Sequence, residues 1–138
     1  MKHTIDLNWL EAMTMEAEVN GHKLMLDMGS DQGGTDRGPR PKPLILLAIA
    51  GCTAMDVVSM LKKMKSEPEG LHITVEGTLT DDHPKSYSDF HIVYHFKGNG
   101  LDYNKLEKAV TLSQEKYCGV SAMCKTFAPI TYKIIVND

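Results

Sequence analysis

One apolar stretch constrains the fold of this chain more than any other part of its sequence. Residues 44–51 read LILLAIAG, and helical spacing of apolar residues continues from there to residue 65. A helix whose first half is apolar on every side has to be covered on every side. A chain of 138 residues has difficulty covering such a helix alone. We therefore predict that a second copy of the chain completes the cover, in a homodimer.

The same stretch is too short to predict a membrane protein. The apolar run has about eight residues, whereas a helix needs about 20 to cross a bilayer. The N-terminal sequence MKHTIDLNWLEAM alternates polar and apolar residues and lacks the continuous apolar region of a signal peptide. Three cysteines, an odd number without regular spacing, do not resemble the disulfide framework of a secreted protein. We expect a cytoplasmic protein with free thiols.

Composition and charge exclude further classes. The fractions of hydrophobic residues, 42%, and of charged residues, 24%, are those of an ordinary globular protein, and the length fits one domain over residues 1–138. The net charge is -3, and the lysines and arginines are scattered. This pattern offers no basic surface for nucleic acid or for an anionic membrane.

The remaining periodicity predicts an α+β fold. Alternating apolar residues predict three strands before the long helix, a glycine-rich and proline-rich loop leads into the helix, and a hairpin, two more helices and a last strand follow it. Strands grouped in this way favour a mostly antiparallel sheet. The predicted ranges are 5–9, 13–19 and 24–28 for the first strands, 29–42 for the loop, 44–65 for the helix, 71–79 and 90–96 for the hairpin, 104–117 and 120–127 for the later helices, and 130–136 for the last strand.

The cysteines are the residues most suited to chemistry. Cys52 lies within the long helix and follows Gly51, although a free cysteine there is also typical of a packed core. Cys118 stands at the expected start of a short helix, where the helix dipole lowers the pKa of a thiol. Because the two are 66 positions apart, spacing alone leaves their pairing open. Cys124, six residues after Cys118, is expected on the opposite side of that helix as a packed thiol.

Several segments, taken in order, resemble the OsmC/Ohr superfamily of osmotically inducible and organic hydroperoxide resistance proteins. They are GGTDRGPRPKPL, AGCTAMDVV, EKYCGVSAM and the closing strand, so the resemblance covers nearly the whole chain. It is strongest to the subgroup with GGC-type and KYC-type cysteine segments. The resemblance implies an intertwined homodimer, with sheets wrapped around long central helices and two active sites at the interface.

The resemblance also implies an activity. It is that of an antioxidant, stress-response peroxidase that reduces organic hydroperoxides to alcohols. Cys52 would attack the peroxide, and Cys118 would convert the resulting sulfenic acid into a disulfide. Dithiols such as dihydrolipoyl groups would then reduce the disulfide. No cofactor is implied.

An attacking cysteine needs a cation that holds it as a thiolate. The sequence has two arginines, Arg37 and Arg40, both in the loop before the long helix. Either is a candidate to lie over Cys52 or over its copy in the partner chain. The alternative for both is a solvated loop charge.

The chain also departs from the family pattern. Typical active peroxidases pair an N-terminal arginine with a glutamate nine or ten residues before the first cysteine, where this sequence has Pro43 and Lys42, and its first hairpin has no arginine. A second hypothesis is therefore an OsmC-like ligand-binding or redox-sensing protein without efficient turnover. Asp56, one turn after Cys52, either orients a donor or pairs with a lysine.

Two other kinds of chemistry are not expected. His91 and His95 share one face of a predicted strand but lie about 13 Å apart, too far to bind one metal ion. We therefore predict no metal site. Cysteine hydrolase chemistry lacks a histidine that the sequence places beside either cysteine. The nine methionines fall mainly on apolar faces and are expected to fill the core or to line an apolar substrate pocket.

Overall fold

The computed structural model describes all residues, 1–138, and the chain divides into two compact units, Met1–Ile45 and Leu46–Asp138. The first unit holds a three-stranded antiparallel sheet in the order β1-β2-β3. Its strands are β1 (Asp6–Glu11), β2 (Thr14–Val19) and β3 (His22–Leu26). Asn20 and Gly21 connect β2 to β3 with positive φ angles of 51° and 80°, as expected for an Asn-Gly hairpin turn.

The loop after β3 needs glycine because it runs against the sheet. A Cβ atom built on Gly38 would lie 2.2 Å from the carbonyl oxygen of Met25 in β3. A Cβ atom on Gly34 would lie 2.0 Å from the carbonyl oxygen of Met28. No other residue permits such a close approach of two backbones. The predicted loop is confirmed, apart from one short 3₁₀ turn at Ser30–Gln32.

The second unit contains the other sheet and the helices. Helix α1 begins in the last residues of the first unit, and the rest of the helix belongs to the second unit. The elements are α1 (Pro43–Lys63), β4 (Gly70–Leu79), β5 (Tyr87–Lys97), α2 (Tyr103–Leu112), α3 (Gly119–Cys124) and β6 (Ile130–Val136). The sheet order is β4-β5-β6, in which β4 and β5 form an antiparallel hairpin. Strands β5 and β6 are parallel because α2 and α3 carry the chain back across the sheet.

One face of α1 lies in the core of this unit. Ile49, Val57 and Leu61 are fully buried, and β5 contributes Tyr94 and Phe96 to the same core. These helix positions follow the four-residue spacing of one helical face. The predicted α+β fold with a central helix is confirmed.

The other side of α1 is unusually apolar and exposed. Leu47 is 64% exposed and Met55 is 75% exposed. The 18-residue window of highest mean hydropathy in α1 reaches 2.2, and only 22% of that window is buried. By length and hydropathy alone α1 would therefore pass as a bilayer-spanning helix, which the short run at residues 44–51 did not predict. Its buried face identifies it as the core helix of this unit.

The second helical segment differs from its predicted form. A continuous helix over residues 104–117 was expected, but α2 ends at Leu112 and the chain continues as a π-helical turn, Ser113–Tyr117. The backbone N–H of Cys118 closes this turn by donating to the carbonyl oxygen of Ser113 at 2.7 Å. Such a turn holds one residue more than an α-helical turn and often occurs at functional sites.

Candidate functional site

Two thiols and a carboxylate meet in the second unit. The sulfur atoms of Cys52 and Cys118 and one carboxylate oxygen of Asp56 all lie within 4.8 Å of one another. Both cysteines are free thiols. Cys52 is half-buried in α1, whereas Cys118 is only 3% exposed. The structure therefore brings the two distant cysteines together within one chain.

Local structure explains this meeting. Cys52 and Asp56 are four residues apart in α1, so their side chains share one face of the helix. The extra residue of the π-helical turn changes the register of the chain after α2. Ser113 and Gln114 are consequently both buried, and Cys118 becomes the N-cap of α3 with extended backbone angles.

The thiol of Cys118 is held in its protonated form. Burial raises its pKa above the ordinary value, hydrogen bonds from Ser121 oppose this, and the neighbouring Cys52 raises it further. The backbone N–H of Ser121 donates to the Cys118 sulfur at 3.3 Å. The position of Cys118 at a helix start was predicted correctly, but the predicted lowering of its pKa was wrong. Helix α3 has only six residues, so its dipole lowers the pKa of Cys118 less than the loss of water around the buried sulfur raises it.

A buried network of polar side chains supports the carboxylate. Ser113 Oγ donates to Asp56 Oδ2 at 3.0 Å and lies 2.8 Å from Thr53 Oγ1. Thr53 Oγ1 lies 2.7 Å from the Tyr94 hydroxyl oxygen. The Gln114 amide donates to both of these oxygens, at 3.2 and 3.0 Å. Burial raises the pKa of Tyr94 to about 12, so its hydroxyl is protonated at neutral pH.

Sequence reasoning missed most of this network, although two of its members carried a signal. Thr53 lies four residues from both Ile49 and Val57, so it is a polar residue within the buried stripe of α1. Ser113 likewise is a polar residue within the apolar stripe of the helix predicted at residues 104–117. A polar residue at a core position needs a hydrogen-bond partner, and this need predicts a buried network.

The two arginines form ion pairs within the first unit. Arg37 Nη1 lies 3.1 Å from Glu11 Oε1, and Arg40 Nη1 lies 2.5 Å from Asp36 Oδ1. Both side chains are partly exposed. Their action on Cys52 stays a prediction. Asp56 belongs to none of the four ion pairs of the chain, so the predicted alternative of a lysine partner is not found.

The third cysteine is separate from the site. Cys124 is buried in the hydrophobic core of the second unit, and burial raises the pKa of its thiol. It is absent from the cluster formed by Cys52, Asp56 and Cys118. The predicted packed thiol is confirmed.

A groove of about 550 Å³ opens beside Asp56, between α1 and α2. Its walls combine apolar side chains with two lysines, one at the C-terminal end of α1 and one within α2. The lining residues are Asp56, Ser59, Met60, Lys63, Met64, Lys108, Leu112 and Tyr117. A groove of this size accommodates a small organic molecule with an apolar body.

Comparison with known proteins decides the family. The family model described as "OsmC-like protein" matches residues 33–133, which include both thiols of the site. The chain belongs to the OsmC-like family. Protein YhfA of Escherichia coli K12 is 29% identical over 127 residues, which cover 91% of this chain and 92% of YhfA.

Solved OsmC-like structures share the fold. A crystal structure of a hypothetical protein from Aquifex aeolicus has a TM-score of 0.83 and 28% identity, and the match covers 100% of this chain and 99% of that one. An organic hydroperoxide resistance protein OsmC from Legionella pneumophila has a TM-score of 0.69 and 19% identity, with 98% and 97% of the two chains covered. The resemblance to the OsmC/Ohr superfamily is confirmed.

Proposed function

We propose that this OsmC-like protein is a thiol-dependent peroxidase that reduces organic hydroperoxides to alcohols. One observation carries the proposal: the sulfur atoms of Cys52 and Cys118 lie within 4.8 Å of each other as free thiols. A disulfide requires a sulfur–sulfur distance of about 2.05 Å, so the two sulfur atoms have to approach each other by less than about 3 Å. The Legionella pneumophila neighbour, described as an organic hydroperoxide resistance protein, supports the same class of substrate.

The environments of the two thiols assign their roles. Cys52 is the more accessible of the two and lies beside the Asp56 carboxylate, so it attacks the peroxide. Cys118 is buried, and burial raises its pKa, which makes it a poor first nucleophile at neutral pH. Its place beside Cys52 suits the second, intramolecular step.

The first step cleaves the peroxide bond. The Cys52 thiol loses its proton, and the thiolate attacks the terminal oxygen of the hydroperoxide. The oxygen–oxygen bond breaks, and the leaving alkoxide takes up a proton to become an alcohol. Cys52 is oxidised to a sulfenic acid while the peroxide is reduced.

The second step removes the sulfenic acid. The Cys118 sulfur loses its proton and attacks the Cys52 sulfur, a disulfide bond forms, and the sulfenic oxygen leaves as water. A dithiol such as a dihydrolipoyl group then reduces the disulfide by thiol–disulfide exchange and is itself oxidised to a cyclic disulfide. The two free thiols are restored for another cycle.

Three groups assist the attack on the peroxide. Asp56, held by Ser113, accepts the Cys52 proton and returns it to the leaving oxygen. Arg37 or Arg40, from the same chain or from the partner, stabilises the Cys52 thiolate. The groove beside Asp56, with its methionines, holds the apolar body of the hydroperoxide.

The active form in this proposal is a cytoplasmic homodimer. The exposed side chains of Leu47 and Met55 on α1 support a partner chain, since a large apolar helix surface is unfavourable in water. A reducing cytoplasm keeps both thiols free between turnovers. Light scattering of the purified protein measures the assembly, and a monomer across the micromolar range contradicts it.

A disulfide-mapping experiment tests the chemistry. Reduced protein is treated with one equivalent of cumene hydroperoxide, and its peptides are mapped by mass spectrometry without reduction. We expect one new disulfide, between Cys52 and Cys118, and the same disulfide in the control variant Cys124→Ala. Two free thiols after consumption of the peroxide, or a disulfide that involves Cys124, would exclude the proposed cycle.

A second candidate is a ligand-binding or redox-sensing protein with slow turnover. It is favoured by the ion pairs of Arg37 and Arg40 with carboxylates and by the absence of a carboxylate at positions 42 and 43. Peroxide consumption with excess dihydrolipoamide separates the candidates. The peroxidase requires wild-type protein to be far faster than Cys52→Ser, whereas equal rates favour the binding or sensing protein.

A further inference from the structure

We propose that the reduced protein binds one thiophilic divalent metal ion, such as Zn²⁺, through the sulfur atoms of Cys52 and Cys118 and one carboxylate oxygen of Asp56. Histidine spacing argued against a metal site in the sequence, but this set contains no histidine. The inference does not depend on peroxidase activity.

The ligand atoms have nearly the spacing that a metal site needs. Zinc binds cysteine sulfur at about 2.3 Å and carboxylate oxygen at about 2.0 to 2.2 Å, so tetrahedral ligands lie roughly 3.3 to 3.8 Å apart. The three atoms here lie within 4.8 Å of one another. Side-chain rotations that move them together by about 1 Å complete the geometry. Cys52 and Asp56 already project from the same face of α1.

The contacts behind the ligands also suit a metal. Ser113 donates to Asp56 Oδ2, which orients the carboxylate and leaves Oδ1 free to bind. Ser113 is itself held by Thr53. The backbone N–H of Ser121 donates to the Cys118 sulfur, which stabilises negative charge on that atom. Metal ligands are commonly oriented by such outer hydrogen bonds.

Charge and chemical softness favour one class of ion. Asp56 is half-buried and no protein cation pairs with it, so its carboxylate is able to ligate a metal cation. Two sulfur ligands select zinc and similar soft or borderline ions over magnesium and calcium. As the metal binds, each thiol releases its proton to the solvent. Three protein ligands leave a fourth position for water, as in catalytic zinc sites.

Metal binding and oxidation exclude each other at this site. A disulfide between Cys52 and Cys118 would remove both sulfur ligands. A bound metal in turn occupies the electron pair with which Cys52 attacks a peroxide. The metal therefore binds only the reduced protein and protects its thiols from oxidation.

The test uses tag-free, reduced wild-type protein under anaerobic conditions, without peroxide. Equilibrium dialysis measures Zn²⁺ stoichiometry, and X-ray absorption spectroscopy of the zinc complex identifies the ligands. We expect one tightly bound ion per chain with two sulfur ligands at about 2.3 Å. No saturable site, or a zinc shell that contains no sulfur, would overturn the proposal.

Matched variants assign the ligands. We expect Cys52→Ser and Cys118→Ser each to weaken zinc binding at least about 100-fold, and Ser113→Ala to weaken it about tenfold. Cys124→Ala, which removes the thiol outside the cluster, is expected to bind like wild type. Unchanged affinity in Cys52→Ser contradicts the assignment. If circular dichroism shows that a variant does not fold, the number of sulfur ligands in the X-ray absorption spectrum of the wild-type zinc complex decides whether the two cysteines bind the metal.

The outcomes separate this inference from the proposed peroxidase. Zinc bound by two sulfur ligands in a protein that forms no disulfide with hydroperoxide supports the metal site alone. A Cys52–Cys118 disulfide in a protein without saturable zinc binding supports the peroxidase alone.

Discussion

Two carboxylates in this protein, one buried and one half-buried, have different surroundings. Asp27, in the first unit, is 1% exposed, and both of its oxygens accept hydrogen bonds. The donors are the hydroxyls of Thr14 and Thr35 and the backbone N–H groups of Met28, Thr35 and Arg37. Burial alone would raise the pKa of Asp27, but these hydrogen bonds together hold it well below its usual range.

Asp56, in the second unit, has far fewer partners. It accepts one side-chain hydrogen bond, from Ser113, and lies beside two thiols. The surrounding network also contains one buried polar atom without a partner, Gln114 Oε1. Protein donors occupy both oxygens of Asp27, which ties the loop to the first sheet, whereas Asp56 has a protein donor on Oδ2 alone, so its Oδ1 is able to contact a substrate or a cation.

The largest effect is expected from removing a thiol beside Asp56. We expect Cys52→Ser to lower kcat/KM for cumene hydroperoxide at least about 1,000-fold, because the attacking atom is lost. The melting temperature should change little, since Cys52 is only half-buried. Cys124→Ala serves as the control for removal of a thiol. Wild-type turnover in Cys52→Ser would show that the cluster is not the reacting site.

Neutralising Asp56 tests the free carboxylate itself. We expect Asp56→Asn to lower the rate of Cys52 oxidation about 10- to 100-fold, because the proton acceptor is lost while the amide still accepts from Ser113. Stopped-flow measurement with cumene hydroperoxide gives the rate. Asp27→Asn is the matched control and should retain the wild-type rate. An equal loss of rate in both variants would remove the distinction between the two carboxylates.

The raised pKa of Cys118 predicts a pH dependence for disulfide formation. The raised pKa keeps the thiol protonated at neutral pH. As long as the pH is below that pKa, each rise of one pH unit increases the reactive thiolate fraction about tenfold. Disulfide formation from the Cys52 sulfenic acid should accelerate accordingly between pH 6 and pH 8. Cys118→Ser should leave the sulfenic acid trapped, which dimedone labelling detects. A rate independent of pH would contradict protonated Cys118.

The smallest predicted effect concerns the contribution of the Asp27 charge to the stability of the folded protein. Its pKa is lower in the folded than in the unfolded chain, so its contribution to stability is complete above the unfolded value of about 3.8 and is lost as pH falls below it. We expect Asp27→Asn to lower Tm by about 5 °C at pH 7, and the difference from wild type to shrink below pH 4. Calorimetry across this pH range measures it. A constant difference would show that the charge of Asp27 does not contribute.

Elements with strong local signals were predictable from the sequence. The period of apolar residues placed α1 within two residues of its observed ends and located every strand. The Asn20-Gly21 turn and the glycine-rich loop also followed from local backbone preferences. The family resemblance added the expectation that Cys52 and Cys118 act together, which spacing alone left open.

Other features depended on surroundings that no local pattern contains. The π-helical turn at Ser113–Tyr117 follows the same apolar spacing as an α-helix, so periodicity did not predict it. The pKa of Cys118 was predicted in the wrong direction because its helix position was visible in the sequence and its burial was not. Two of the residues that meet Asp56, Ser113 and Cys118, are more than 50 positions away in the sequence, beyond the reach of a local rule.

The α+β class, the apolar central helix and the number of cysteines follow from the order of amino acids alone, because they depend on composition and on the period of each element. Which polar groups meet depends on how the chain folds. Folding placed reactive atoms of Cys52, Asp56 and Cys118 within 4.8 Å of one another and gave Asp56 one protein donor, Ser113. The physical reason is that reactivity depends on distance, water and hydrogen-bond partners, which exist only after distant segments have packed together.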